Sequence, residues 1–269
     1  MTLHSVTFNP MQNRLANSLR DTIKSDEALD LTKEWSQFGL EALISNDMLK
    51  HIPFLNTAVD LYKIGKSLRD RHLIKKIAVF LSRLAELSDD EKDTFIDEMS
   101  KHDKYGDTLC DKMLLILDKL DEAAKAEILG NLARMFAKRV ISKDTFIRMT
   151  AVVERAVFYD LMVLHSHYKS YRFNETEYKK YAETAETRAS LYNLGLFTLK
   201  LDVSPAVLLE KETDQPSAIP PDITFELNTL GQDLANLMFY DIAEEGFKKV
   251  MAKTKARNNQ PPLVWPSVL

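Results

Sequence analysis

The sequence predicts a mostly α-helical fold, a multi-helix bundle with a small β-hairpin near the C-terminus, on three observations. Apolar residues recur at three- and four-residue steps over most of the chain, the period of a helix with one buried face. Glycine and proline number only seven and nine among 269 residues, which leaves few places to reverse short strands. Two short segments, 194–199 and 223–227, carry the turn residue and β-favouring side chains of strands.

The elements follow in order. Asn9 and Pro10 read as an N-cap and first helical residue, because the donor that proline lacks would be unpaired there anyway, and the helix runs to about Lys24. From Asp26 the positions Leu29, Leu31, Trp35, Phe38, Leu40, Leu43 and Ile44 describe a second amphipathic helix ending near residues 45–46. Pro53 opens a third stretch in which Leu61, Ile64, Leu68, Ile74, Ile77, Leu81 and Leu84 form one stripe, ending near Leu87. Gly65 inside that stripe weakens the helix by about 1 kcal/mol against alanine and marks a close crossing or a kink. Ser88 with Glu91 three residues on is a capping-box pattern that starts a helix at Asp89, running to about Ser100. A polar loop turns at Gly106, helices follow from Thr108 and over 122–138, and Ser142 caps the longest pattern, reaching about Tyr168. Asn174 with Glu177 starts a helix to Asn193; Leu194-Gly195 stops it through the left-handed glycine. Ser204-Pro205 begins one helical turn, residues 209–222 form a polar loop, and Thr229 with Gln232 opens a last helix towards Met251.

Composition limits the function classes. A net charge of −4 argues against a surface that holds nucleic acid all over by counterion release, while leaving room for a local basic patch. One cysteine, Cys110, excludes an intrachain disulfide framework and fits a reducing compartment. The N-terminal stretch lacks a signal peptide's basic start and apolar run, and no uncharged apolar segment approaches the roughly 20 residues of a membrane span. The expectation is a cytoplasmic protein without a transmembrane segment.

No catalytic, cofactor-binding or metal signature appears: no glycine-rich phosphate loop, no G-x-S-x-G, no H-E-x-x-H and no paired-cysteine zinc spacing. His165 and His167 point about 200° apart on a helix and do not share a metal. Cys110 has no local positive environment to make a thiolate, and reads as core. Asp89, Asp90, Glu91 and Asp93 sit where a helix N-terminus favours carboxylates. Two binding candidates remain. Lys63, Lys66, Arg69, Lys75 and Lys76 form a basic side opposite the apolar stripe, partly neutralised by Asp60 and Asp70, which suits an anionic partner, nucleic acid or a membrane surface. At the C-terminus a basic run, Lys248 to Arg257, precedes Leu263, Val264, Trp265, Val268 and Leu269, apolar residues expected to dock on a groove of this chain, a second copy or another protein.

Two resemblances add to this reading. The segments LYNLGLF and ITFELNTLG, with Asn228-Thr229-Leu230-Gly231, resemble the end of winged-helix modules, in which a helix finishes at a Leu-Gly-Leu turn before a hairpin. In DNA-binding members the helix before the wing enters the major groove, yet here Lys179, Lys180 and Arg188 face Glu175, Glu177, Glu183 and Glu186, so acids outnumber bases. Ile52-Pro53, Lys63, Gly65, Arg69-Asp70-Arg71, Lys75-Lys76, Phe80-Leu81 and Leu129-Gly130-Asn131-Leu132 resemble landmarks of a group of uncharacterised bacterial helical proteins, some similar to abortive-infection proteins of phage defence. That likeness implies no catalytic residue. With the missing catalytic signatures, the expectation is a bacterial protein that leans towards a non-enzymatic role, acting through protein–protein contacts or as a homo-oligomer, as a sensor, effector or regulator of phage defence; nucleic-acid regulation and peripheral membrane binding are the alternatives. The expected regions are 1–50, N-terminal helices; 51–120, helical scaffold; 121–250, a winged-helix-like portion with its hairpin at about 196–228; and 251–269, the basic and proline-bearing tail.

Overall fold

The computed structural model describes residues 10–37, 51–61, 68–104, 107–173, 184–202, 222–238 and 264–265. Eleven helices and three short strands lie among them, a mostly helical fold as the periodicity predicts. The chain divides into two compact units, one of residues 1–158 with 237–239 and one of residues 159–236 with 240–269.

In the first unit the helices are α1 (Pro10–Lys24), α2 (Asp26–Gln37), α3 (Pro53–Leu61), α4 (Leu68–Ser82), α5 (Asp89–Ser100), α6 (Leu109–Lys119), α7 (Ala123–Ala137) and α8 (Lys143–Arg155). α4 packs on α2, α3, α6 and α7, α7 packs on α4, α5 and α8, and α1 packs on α2, α3, α5 and α6. α7 is apolar around most of its circumference, with Ala126, Ile128, Leu129, Leu132, Ala133, Met135 and Phe136 all buried, as a helix without a solvent side must be. Gly130 lets α4 come close. A Cβ there would stand 2.8 Å from the Phe80 carbonyl oxygen and 2.8 Å from the Arg83 Cβ. The charged groups inside α7 are each paired: Lys125 meets Asp121 at 2.7 Å, and the fully buried Arg134 donates to Glu86 at 2.6 Å.

Several boundaries differ from the sequence reading. The helix expected to end near Leu87 ends at Ser82, because the chain tightens: Arg83, Leu84 and Leu87 donate to the carbonyls three residues back. The Ser88 capping box is present, with Glu91 N–H on the Ser88 hydroxyl and Ser88 N–H on the Glu91 carboxylate at 2.9 Å. The expected single helix from Ser142 to Tyr168 is two. Ala156 takes extended backbone (φ −66°, ψ 148°) and ends α8, and Val157, next in the chain, turns outward at 57 % exposure. No glycine or proline marks that break. The predicted continuation of α2 to residues 45–46 and the predicted turn at Gly106 lie outside the described residues, as does Gly65.

The second unit holds α9 (Phe158–Phe173, its first residue in the other unit), α10 (Ala185–Asn193), strands β1 (Phe197–Asp202) and β2 (Asp222–Leu227), α11 (Thr229–Leu237, its last residue in the other unit) and β3 (Val264–Trp265). The expected order of helix, hairpin and helix is therefore present. α10 starts at a Thr184 cap, whose hydroxyl accepts from Thr187 N–H at 3.2 Å, so the helix predicted from Asn174 does not run unbroken to Asn193; residues 174–183 lie outside the described residues. Gly195 at φ +74° is the left-handed stop that the sequence predicts. β1 and β2 pair antiparallel from Phe197 opposite Leu227 to Asp202 opposite Asp222, and β3 joins β2 with Trp265 opposite Phe225. The helix after the hairpin is capped by Asn228 rather than Thr229. The Asn228 Oδ1 accepts from Gly231 N–H at 3.0 Å, and Gln232 reaches back to the Leu227 carbonyl at 2.8 Å. The predicted turn at Ser204-Pro205, the loop 209–221 and the stretch 239–251 lie outside the described residues.

Candidate functional site

The structure separates the five cations of the predicted basic side. Lys63 and Lys66 lie outside the described residues. Arg69, in the first turn of α4, is 80 % exposed and pairs with the Asp118 carboxylate at 2.7 Å. Lys75 is half-buried. Lys76 does not belong to an exposed face: it is buried, and its ammonium donates to the Asp118 and Leu120 carbonyls at 2.9 and 2.8 Å. Those oxygens end α6, where a cation suits both the unpaired carbonyls and the negative end of the helix. Burial pushes the Lys76 pKa down, and the Asp118 carboxylate opposes that shift. Arg69 and Lys76 thus join α4 to the end of α6.

At the other predicted site, Leu263, Val268 and Leu269 lie outside the described residues, and Val264 and Trp265 are described in their backbone alone. In the helix before the hairpin, Lys179, Lys180, Glu175, Glu177 and Glu183 lie outside the described residues, while Glu186 and Arg188 fall on α10. His165, in the second unit, donates from Nδ1 to the Ala235 carbonyl at 2.8 Å, since a carbonyl can only accept. Burial pushes the Cys110 thiol far above its ordinary range, with the Asp111 charge adding to the effect, so it stays a core thiol at neutral pH. No cluster of three metal-ligating side chains occurs among the described residues.

A concave feature of the first unit lies elsewhere, between the segment that links α5 to α6, the face of α6, and the first two turns of α8. Its volume is about 230 Å³. Three local rules build it. After Ser100 the chain leaves the helix at Lys101 in extended backbone, and His102 and Thr108 form an antiparallel bridge closed by Asp103 N–H on the Asp107 carbonyl at 2.8 Å. Thr108 then starts α6 with its own capping box, in which Asp111 N–H donates to the Thr108 hydroxyl at 3.1 Å and Thr108 N–H to the Asp111 carboxylate at 3.0 Å. Ser142 starts α8, its hydroxyl accepting from Thr145 N–H at 3.1 Å.

The floor is apolar: Leu109, Met113 and Ile116 from α6, and Phe146 from α8. Phe146 stacks on Phe136 with ring centres 5.0 Å apart, and Phe136 meets Phe95 edge-on, which seats the floor on the core. The hydroxyl of Thr150 donates to the Phe146 carbonyl at 2.8 Å. Ile147 remains 44 % exposed on the rim. The rim is charged. Lys112 pairs with Asp103 at 2.5 Å, and Lys101 and Lys143 both reach Glu98, Lys143 at 3.3 Å. The hydrogen bond from Lys101 holds the Glu98 carboxyl below its ordinary range, against the effect of burial and with help from Lys143. Lys119 and Glu154, at 3.4 Å, tie the far ends of α6 and α8.

The sequence shows Met113, Ile116 and Phe146 as positions of helical stripes and residues 102–107 as a polar loop, with nothing to bring them together. The one local signal was Ile147, an isoleucine beside Phe146 and off the buried stripe of its helix. The chain matches no protein-family model, no curated protein and no solved structure.

Proposed function

We propose that this protein is a helical binding module that acts through contact with a partner polypeptide rather than through catalysis, and that the partner enters the cleft between α6 and α8. The observation that carries this reading is the cleft itself, an apolar floor with a charged rim and a solvent-exposed isoleucine at its edge. The nucleic-acid and membrane-surface readings draw less support, because Lys76 is held by backbone carbonyls and Arg69 by Asp118. No helix among the described residues is long and apolar enough to cross a membrane. A cytoplasmic setting and a role in phage defence belong to the proposal on the single cysteine and on the resemblance of the landmark residues alone.

The experiment is partner recovery with the tagged full chain, followed by mass spectrometry, in wild type and two variants. Ile147→Glu puts a charge on the rim of the cleft. Leu115→Glu does the same at a 51 % exposed leucine of α6 that does not line it. A stoichiometric partner lost in the first variant and kept in the second is the expected result. Equal recovery in all three proteins, or a monomer that recovers nothing, overturns it.

A further inference from the structure

The hairpin of the second unit sorts its residues by strand alternation. In the register of β1 on β2, Phe197, Leu199, Phe225 and Leu227 share one face, and Thr198, Lys200, Thr224 and Glu226 share the other. Phe197 and Leu227, at the end that joins α10 and α11, are buried; one step along, Leu199 and Phe225 are only half-buried. Two rings meet Phe225 edge-on, Phe197 at 6.4 Å between centres and the 40 % exposed Tyr192 at 5.6 Å. On the polar face Glu226 pairs with Lys200 at 2.6 Å.

The outer edge of β2 is where β3 sits, and β3 is a strand of two residues. Trp265 stands opposite Phe225 and Val264 opposite Glu226, whereas β1 pairs with all six residues of β2, from Asp222 to Leu227. Among the described residues the strand pairing on that outer edge stops at Phe225, and β2 runs on to Asp222. Pro262 and Pro266 bound the short segment that holds β3, and proline brings no N–H to a ladder. The chain therefore seats on β2 a strand that is short and that two prolines keep short.

Independently of the cleft, we propose that the outer edge of β2 is a strand-accepting site for an extended peptide of another protein, and that Val264-Trp265 is the ligand the chain supplies to itself. The occupant adds an antiparallel strand, and its main-chain groups supply the affinity. The register sets its side chains. An aromatic residue stands opposite Phe225, in the row of Leu199, and an uncharged or basic residue stands opposite Glu226, where a carboxylate would meet a like charge. A peptide free of proline reaches Asp222 and pairs with the five residues 222–226 rather than with two. The longer ladder lets it displace a tail whose advantage is that it is tethered.

The test uses the full chain and a fluorescent peptide of residues 257–269 carrying Pro266→Thr, titrated by anisotropy. In the full-chain variant Val264→Glu/Trp265→Glu the tail is driven off the edge, and the peptide binds about tenfold tighter than to wild type. A second full-chain variant, Glu226→Cys/Val264→Cys, sets thiols at paired positions while Cys110 stays buried. Oxidised, it is locked and binds at least about tenfold more weakly than after reduction, and the return of binding on reduction shows that the locked chain was folded. Within the peptide, Val264→Glu and Trp265→Ala each weaken binding to wild type by about tenfold, and Val264→Lys does not. A cysteine pair that does not close, equal binding to the locked and reduced chain, or a scrambled peptide that binds as well overturns the proposal. So does a peptide whose affinity ignores a carboxylate at position 264. A wild-type dimer that the tail variant abolishes, seen by sedimentation, puts the tail on a second copy and also overturns it. None of these outcomes involves Ile147, so the cleft reading stands or falls on its own experiment.

Discussion

Removing the ammonium of Lys76 uncovers two carbonyl oxygens at the end of α6, and that makes this residue a sharper probe than any of its exposed neighbours. Lys76→Met keeps the buried stem and deletes the donor, leaving the Asp118 and Leu120 oxygens unmatched. We predict a loss of about 1–3 kcal/mol in urea unfolding at unchanged slope, the range for an unsatisfied buried polar group. Arg69→Gln removes an ion pair whose arginine is largely in water, and loses no more than about 1 kcal/mol. If the two variants unfold alike, Lys76 is a solvated surface cation after all. Its role was not legible in the sequence. The periodicity placed it opposite the apolar stripe, but whether a lysine on that side meets water or the end of another helix depends on a contact more than 40 residues away, Lys76 with Leu120.

At the scale of elements, legibility followed the chemistry of the termini. The Ser88 box was readable because serine and glutamate stand at the required spacing, and the structure closes both of its hydrogen bonds. The Thr108 box was not, since aspartate takes the place of the usual glutamate or glutamine. The break at Ala156 and the cap at Thr184 left no signal in glycine or proline. The cleft was hidden for a stronger reason, because its lining comes from one linker and two helices whose stripes look like ordinary core. Glu91 offers a test at this scale. Burial pushes its carboxyl up, yet the Ser88 backbone N–H and the Lys138 ammonium together hold it below its ordinary value. A carboxylate with a depressed folded-state pKa contributes stability that is present above the unfolded value of about 4.3 and is lost as pH falls through the folded one. Melting followed from about pH 6 to about pH 3 should therefore fall less steeply in Glu91→Gln than in wild type. Parallel curves would remove Glu91 from the account.

For the whole molecule, the mostly helical class and the helix–hairpin–helix order were legible from scarce glycine, helical spacing and the Leu194-Gly195 stop. The third strand was not, because Val264-Trp265 is too short to announce itself between prolines. Its pairing places a backbone partner on β2 opposite Phe225 and Glu226. A chain ending at residue 262 leaves that edge open, and amide exchange along residues 225–226 should quicken by about tenfold or more while α7 keeps its protection. Unchanged exchange along β2 would mean that the pairing contributes nothing in solution. A last consequence concerns α6. Thr108 and Asp111 fix its beginning, Lys76 fixes its end, and Lys119 ties it to α8. One wall of the cleft is thus fastened at both tips. A partner of the proposed kind would have no helix to reposition, so its association, followed by stopped flow, is expected to show one kinetic phase at roughly 10⁵–10⁷ M⁻¹ s⁻¹, with differences between partners read as differences in residence time.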